Sequence, residues 1–414
     1  MNYKAASLFV LLGCAGLAQD SSRDPAFAAV PFDQWLAGSE LPRLHWSTRV
    51  QAVELSNFQR LRARVDIQVD GEEVAKRRGR GSLVMLVQFN DSEGRVYQTH
   101  KALDLQDMKE TAGKMTFIYS QDAFVLPGDY RVSLGVFDTE TRDHSVAQRM
   151  LHVAPLKNDP LPNAWRDLPP VELLHDAPDE GLLPSLTGRL NLPLETRRPV
   201  RVELLVNASG QAAKSNWGEL IPALSVLSDI NVRNGALNVA LLDLARQRVV
   251  FEQNVERSLD WRKLEAGFKE ADPKVIDVHS LEKRGRSAQF FVRQVGQRIA
   301  DAGEPVLIVL TGPMAFESGE NLRAIELGAK PAGKLFYIRY HSPAPKPEFR
   351  PTFEVPRYGR RQIPVELPRA PVLAEPIDEL ERTIKPLDPR VFDVYTPDQF
   401  RKALGTLIEE VSRL

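Results

Sequence analysis

Asn207, Ser209 and Gln211 stand at alternate positions where an apolar run, Val200 to Val206, comes to an end. A nucleophilic serine is the sharpest chemistry that Asn207-Ala208-Ser209-Gly210 offers. The segment lacks the first Gly of the Gly-x-Ser-x-Gly elbow, and His279 and His341 are the histidines of this half that would serve as its base. The seven histidines hold no His-Glu-x-x-His pair or other compact ligand spacing. His175-Asp176 with Asp179-Glu180 lacks EF-hand spacing and reads as a solvated linker. The simplest reading is that Asn207 and Ser209 satisfy backbone groups at a strand end.

The elements that must position these residues form two halves. From Leu44 to Val153 short strands alternate apolar and polar residues between turns, as in Ala63, Val65, Ile67 and Val69 against Arg62, Arg64, Asp66 and Gln68. That period of two predicts an antiparallel sandwich over residues 40–154. Lys76-Arg77-Arg78-Gly79-Arg80 falls between two such strands and reads as an exposed basic hairpin tip after an Asp70-Gly71 turn. Residues 155–199 carry nine prolines, which predicts a semi-rigid linker.

From Val200 onward strands and helices alternate, which predicts a parallel sheet covered by helices on both faces over residues 200–414. Val306 to Leu310 is its most central strand. The helix from Ser287 sets Ala288, Phe291, Val292, Val295 and Ile299 on one stripe. Thr396-Pro397-Asp398-Gln399 reads as a capping box opening the last helix, with Tyr395 stapled against Phe400. Its core face is Phe400, Leu404, Leu407, Ile408, Val411 and Leu414. Eleven prolines between Pro343 and Pro389 mark an extended insertion.

Two resemblances follow from these segments. Leu126-Pro127-Gly128-Asp129-Tyr130 is similar to the tyrosine corner of immunoglobulin-like and fibronectin type III sandwiches. Leu204-Leu205-Val206-Asn207-Ala208-Ser209-Gly210-Gln211 resembles the Asp-x-Ser-x-Ser strand end of von Willebrand factor A-type domains. With the strand and helix order of residues 200–414, it resembles more closely the divergent bacterial VWFA-related proteins. In that family the metal is held by this segment, a Thr from a second loop and an Asp after the central strand. Mg2+ needs hard oxygen ligands, with carboxylates to offset its dehydration. Here Asn207 stands for Asp, Gln211 for the second Ser, and Thr311-Gly312-Pro313 for Thr-Asp-Gly. Ser209 and Thr311 remain as ligands of the family kind. The resemblance therefore implies a degenerate metal face with no metal and no cofactor, and a role in protein contact through Asn207, Ser209, Gln211 and Thr311.

Charge excludes other partners. With 54 basic and 55 acidic residues the chain is near neutral, so no global field draws it to nucleic acid or an anionic membrane. Arg350, Phe353, Arg357, Tyr358, Arg360 and Arg361 mix cations with aromatics. In the Pro-rich insertion these residues fit a protein interface strip better than a nucleic-acid surface. Met1 to Lys4 followed by the apolar run Ala5 to Leu12 reads as an export signal, too short to span a bilayer. Cleavage after Gly16-Leu17-Ala18, giving a signal peptide of residues 1–18, is preferred. Lipidation of Cys14, the single cysteine, is the alternative and the one route to a membrane. The expected molecule is an exported, periplasmic or secreted binding or scaffold protein. The rivals are an envelope hydrolase using Ser209 and a structural lipoprotein anchored through Cys14. Intact-mass measurement of the exported protein is expected to give a mature chain starting at Gln19, and a diacylglyceryl adduct on Cys14 would reverse that preference.

Overall fold

A computed structural model describes residues 31–38, 44–106, 108, 113, 115–174, 186–209, 217–271, 286–300, 305–312, 333–341 and 378–414. The fold is mixed α/β, and its contacts divide it into two units. Unit 1 takes residues up to Glu54, Arg62–Pro155 and Pro169–His175, and unit 2 takes Leu55–Leu61, Leu156–Leu168 and the rest.

Unit 1 is built from two antiparallel sheets. The first holds β1 (Trp46–Val50), β2 (Glu54–Leu55), β3 (Leu61–Asp70), β6 (Thr116–Val125) and β9 (Val171–Leu173). The second runs β5 (Val96–Asp104), β4 (Ser82–Asn90), β7 (Gly128–Asp138), β8 (His144–Val153). Alternation works in β3 as read: Leu61, Ala63, Val65, Ile67 and Val69 are buried. Asp66, on the polar face, is buried too, because Gln51 and Ser120 donate to its carboxylate at 2.9 and 2.7 Å. Strand β4 buries both faces, since a short helix α1 (Phe32–Ala37) lays Phe32 and Trp35 over Val84, Leu86 and Phe137. A Cβ on Gly135 would lie 2.8 Å from the Phe32 ring, so glycine lets that helix approach. The Tyr130 hydroxyl donates to the Leu126 carbonyl at 2.9 Å, and burial pushes its ionisation up to about 12.

In the basic stretch Lys76, Arg78, Gly79 and Arg80 are exposed as expected, but Arg77 is not. Gly71–Lys76 form a helix, α2, and Arg77 turns inward to pair with Glu73 at 2.6 Å, Asp138 at 3.1 Å and Asp143 at 3.7 Å. Glu73 and Asp138 are buried, and buried carboxylates require a cation. Residues 155–199 are likewise more than a connection. They supply β9 to unit 1 and β10 (Leu192–Leu194) to unit 2, where β10 pairs in parallel with β12 (Ile230–Val232). Proline is tolerated in such short strands, where few ladder bonds are lost.

Unit 2 centres on a six-stranded sheet. Its order is β14 (Arg248–Asn254), β13 (Gly235–Asp243), β11 (Val200–Asn207), β15 (Pro305–Thr311), β16 (Lys334–Tyr340), β17 (Arg390–Val394). All neighbours are parallel except β14, which runs antiparallel on β13. The four residues between them are too few for a crossover, so the chain can only fold back. Among the described residues the unit also has the α-helices α3 (Trp217–Ser228), α4 (Trp261–Ala271), α5 (Arg286–Ala300), α6 (Glu379–Ile384) and α7 (Pro397–Val411). On one face Leu205, Leu307, Val309 and Tyr337 pack under α5 and α6, with the Ser287-helix stripe placed as expected. On the other, Gly267 of α4 lies against Leu241 and Phe251, and Phe400 of α7 meets Tyr340 edge-on at 5.4 Å.

Helix α7 opens with the expected capping box. It buries Phe400, Leu404, Leu407 and Val411, whereas Ile408 and Leu414 are half-buried. Tyr395 is 46% exposed and stacks on His341 at 4.1 Å. The residue that the periodicity leaves outside, Arg401, is 2% exposed. Its guanidinium forks onto Asp159 at 2.6 and 2.8 Å, donates to the Leu161 carbonyl at 3.0 Å and lies 4.6 Å over the Trp165 ring. One turn on, a Cβ at Gly405 would meet Pro160 at 2.7 Å.

The 200–414 boundary therefore leaves out a partner that α7 needs. Burial opposes the Asp159 charge, but the hydrogen bonds from Arg401 and the Leu161 amide outweigh it and hold the carboxyl below its ordinary range. A depressed carboxyl contributes stability above the unfolded pKa that is lost as pH falls through the folded one. Arg401→Ala, which strands the half-buried Asp159 carboxylate and empties a buried place, is expected to cost up to about 3 kcal/mol in denaturant unfolding. Asp159→Asn is expected to flatten the acid limb of stability against pH, and an unchanged acid limb would show that Asp159 is not what titrates there.

Candidate functional site

Strands β11 and β15 are the two from which the sheet grows in opposite directions, and the carboxyl ends at such a switch point frame the usual ligand crevice of open α/β sheets. Asn207 ends β11 and Thr311 ends β15, one step beyond the paired Val206 and Leu310. Both continue the side-chain alternation of Leu205 and Val309, so they share the face covered by α5 and α6. Sequence reading brings Asn207, Ser209 and Thr311 to one place, and the structure joins them there.

Among the described residues they form a neutral network. The Asn207 amide donates through Nδ2 to Thr311 Oγ1 at 3.1 Å, bridging the switch point. Its Oδ1 accepts from the Ser209 amide at 3.0 Å. Thr311 donates to the Gly312 carbonyl at 2.8 Å, and Ser209 Oγ accepts from the Leu244 amide at 2.7 Å. All three side chains are buried. Ser209 has no basic partner among the described residues, so nothing there draws off its proton. Gln211, the strip residues Arg350, Phe353, Arg357, Tyr358, Arg360 and Arg361, and Cys14 lie outside the described residues.

Charge appears on the same row, on the strand next to that of Thr311. Arg339 is registered between Thr311 on β15 and Asp393 on β17. It donates to Asp393 at 2.6 Å, to Asp378 at 3.0 Å and to Glu381 at 2.9 Å. Asp378 caps α6 by accepting from the Leu380 amide and also accepts from the buried Tyr337 hydroxyl at 2.7 Å. His341 Nε2 lies 2.8 Å from Asp393, and its ring stacks on Tyr395. Burial works against the charge of both Arg339 and Asp393. Their mutual hydrogen bond, with Asp378 and His341, prevails: the guanidinium lies above its ordinary range and the Asp393 carboxyl below it. Burial, followed by the Asp378 charge, drives the Tyr337 hydroxyl well up.

Of this cluster the sequence reading singled out only His341, as a base for Ser209, and the structure commits it to Asp393. The signal for the rest was Tyr337-x-Arg339-x-His341, polar groups alternating off the end of an apolar strand.

A second feature of unit 2 is a polar cleft of about 540 Å3, lined by Thr187, Arg189, Ser228, Asp229, Gly235 and Arg257. It lies where β13 begins, away from the strand-end residues. Its Arg189 is already committed, to Asp229 at 2.8 Å and to the Ser228 and Arg257 carbonyls. Among the described residues no three His, Cys, Asp or Glu side chains are grouped to hold a metal ion, and no helix is long and apolar enough to cross a membrane.

No family model matches the chain, and no curated protein is significantly similar to it. Among solved structures, a Northeast Structural Genomics Consortium target aligns at 12% identity over 29% of this chain and 96% of its own, with a TM-score of 0.18. A Bordetella pertussis protein solved under the name ApaA aligns at 11% identity over 29% of this chain and 100% of its own, also at 0.18. Likenesses of that size carry no argument about the fold or function of this chain.

The network's worth is measurable. Asn207→Ala leaves the Ser209 amide and Thr311 without their partner in a buried place, and an orphaned buried group costs about 1–3 kcal/mol. Urea unfolding of the full chain is expected to show that loss, and a variant as stable as the parent would mean that the group is wet rather than closed.

Proposed function

We propose that this chain is an exported, non-catalytic protein-binding or scaffold component of the bacterial cell envelope, of the VWFA-related kind. Its parts on this reading are an immunoglobulin-like sandwich and a doubly wound von Willebrand A-like domain whose metal face has degenerated. The observation that carries the reading is the Asn207–Thr311 hydrogen bond across the switch point. A metal-dependent domain needs carboxylate charge at that point. Here neutral side chains turn toward one another and toward backbone groups. On this reading the rim serves contact with a macromolecule rather than chemistry on a small one.

The hydrolase reading is weaker, because Ser209 is buried and accepts from a backbone amide while His341 is held by Asp393. The lipoprotein reading rests on Cys14 alone.

Partner contact on this reading runs through the strand-end rim and the Arg- and aromatic-bearing strip of residues 343–389. Three measurements on the full chain test it together. Calorimetric titration is expected to show no micromolar Mg2+, Mn2+ or Ca2+ site, and a serine-reactive phosphonate is expected to leave Ser209 unlabelled. Replacing Lys346 to Arg369 by a short Gly-Ser linker is expected to abolish capture of envelope proteins without moving the melting temperature. Labelling at Ser209 would instead establish the hydrolase, and a metal site lost on Ser209→Ala would restore the metal-dependent reading.

A further inference from the structure

Strands β1 and β8 are end strands of their two sheets and are not paired with each other. Between them runs a groove of about 650 Å3, lined by Trp46, Thr48, Gln68, Asp70, Ser145 and Arg149 among others. The Trp46 indole donates to Ser145 Oγ at 2.7 Å and ties the two strands at one point.

Among the described residues strand β8 pairs with no strand on its outer side. It runs for 10 residues, keeps unbroken register with β7 and contains neither proline nor bulge. Edges are ordinarily blunted by such devices, because a row of unpaired N–H and C=O groups is a template for another strand. Helix α1 covers only its beginning, through Trp35 stacked on His144 at 4.2 Å. Farther on, Met150 is 73% exposed. Arg149, on the groove side, donates to its neighbour's carbonyl at Gln148 and pairs with no carboxylate among the described residues.

We propose that the β1–β8 groove is a second interaction surface, which takes an extended, proline-free segment of a partner protein as an added strand on β8 and sets a carboxylate of that segment against Arg149. Main-chain bonds to the edge supply the affinity, as in other strand additions, and the cation supplies the register. A second copy of this chain is the poorer occupant. A two-fold pairing of β8 with itself, centred on the strand, would put both Arg149 side chains on one face at or beside the axis, and facing like charges are destabilising. This surface belongs to unit 1 and does not depend on the strand-end rim of unit 2, so either can fail without the other.

The test uses the full chain and two short capped peptides that alternate Thr and Val, one with a central Glu and one with a central Lys. The Glu peptide is expected to slow hydrogen exchange at amides of Ser145 to Val153 while leaving the other end strand, β5, unchanged. Arg149→Glu is expected to weaken that peptide about tenfold or more and to bind the Lys peptide in its place. Arg149→Gln, which removes the charge without reversing it, should melt with the parent and bind both peptides alike. No protection of β8 at millimolar peptide, or equal affinities for the Glu peptide in parent and Arg149→Glu, would overturn the proposal. So would concentration-dependent self-association of Arg149→Gln with β8 protected in the absence of peptide, since Arg149 would then be only a guard against edge pairing.

Discussion

The ion pair between Arg401 and Asp159 is the constraint on which unit 2 depends. Helix α7 could have packed by its apolar stripe alone, since Phe400, Leu404, Leu407 and Val411 already bury one face. Arg401 adds a buried cation beside that face, and a buried cation fixes what must surround it. The carboxylate of Asp159, the carbonyl of Leu161 and the ring of Trp165 satisfy it. The Trp165 indole in turn donates to the Gln59 carbonyl at 2.7 Å, and the Gln59 amide reaches the Pro397 carbonyl at 3.0 Å, back at the start of α7. Against an apolar replacement of equal volume such a pair adds little net stability. What it imposes is specificity, because a helix that slipped or rotated would leave a charge in the core without a partner.

That coupling explains where sequence reading succeeded and where it stopped. Apolar periodicity located β3, β11, β15, α5 and α7 because each buries a face against its own sheet, and burial is what periodicity reports. The capping box at Thr396 was legible because it is local, four residues long and carried by side-chain type. Arg401 and Asp159 stand 242 positions apart, and no local pattern connects them. The proline content of residues 155–199 spoke against helices and long strands, and the described part of that segment holds only short strands. It was silent on the short strands β9 and β10, which need only a few ladder bonds, and on Asp159, whose value lies in a partner far along the chain.

Polar residues misled in the same way at smaller scale. Lys76 to Arg80 read as a solvated tip because charge runs usually are, yet Arg77 is drawn in by Glu73 and Asp138. Glu203 sits in the apolar strand β11 and is buried, with Arg201, Arg298 and Asn238 gathered round its carboxylate. In both places the charge that sequence statistics assign to solvent is inside because its counter-charge is inside too. The partners come from other elements, Asp138 from β7 for Arg77 and Arg298 from α5 for Glu203, so the pairing exists only once the fold does. The strand-end residues Asn207, Ser209 and Thr311 were easier to place, because position at the end of an apolar strand is itself a spatial statement in a parallel sheet.

The carboxyl rim of that sheet carries two polar groups of different character. Between β11 and β15 the groups are uncharged and spend their hydrogen bonds on one another. Between β16 and β17, on the same row, one guanidinium is shared by three carboxylates with a histidine beside them. Carboxylates crowded at that spacing repel one another unless a cation lies among them, and Arg339 supplies it from within the strand. A fixed guanidinium answers the charge and its planar fork imposes the geometry. Arg339 also links β16, β17 and the start of α6 through Asp393 and Asp378, so its electrostatic role and its structural role cannot be separated. A rim built in this way has its carboxylates answered from within the protein, so their charge is balanced by a side chain of the same sheet.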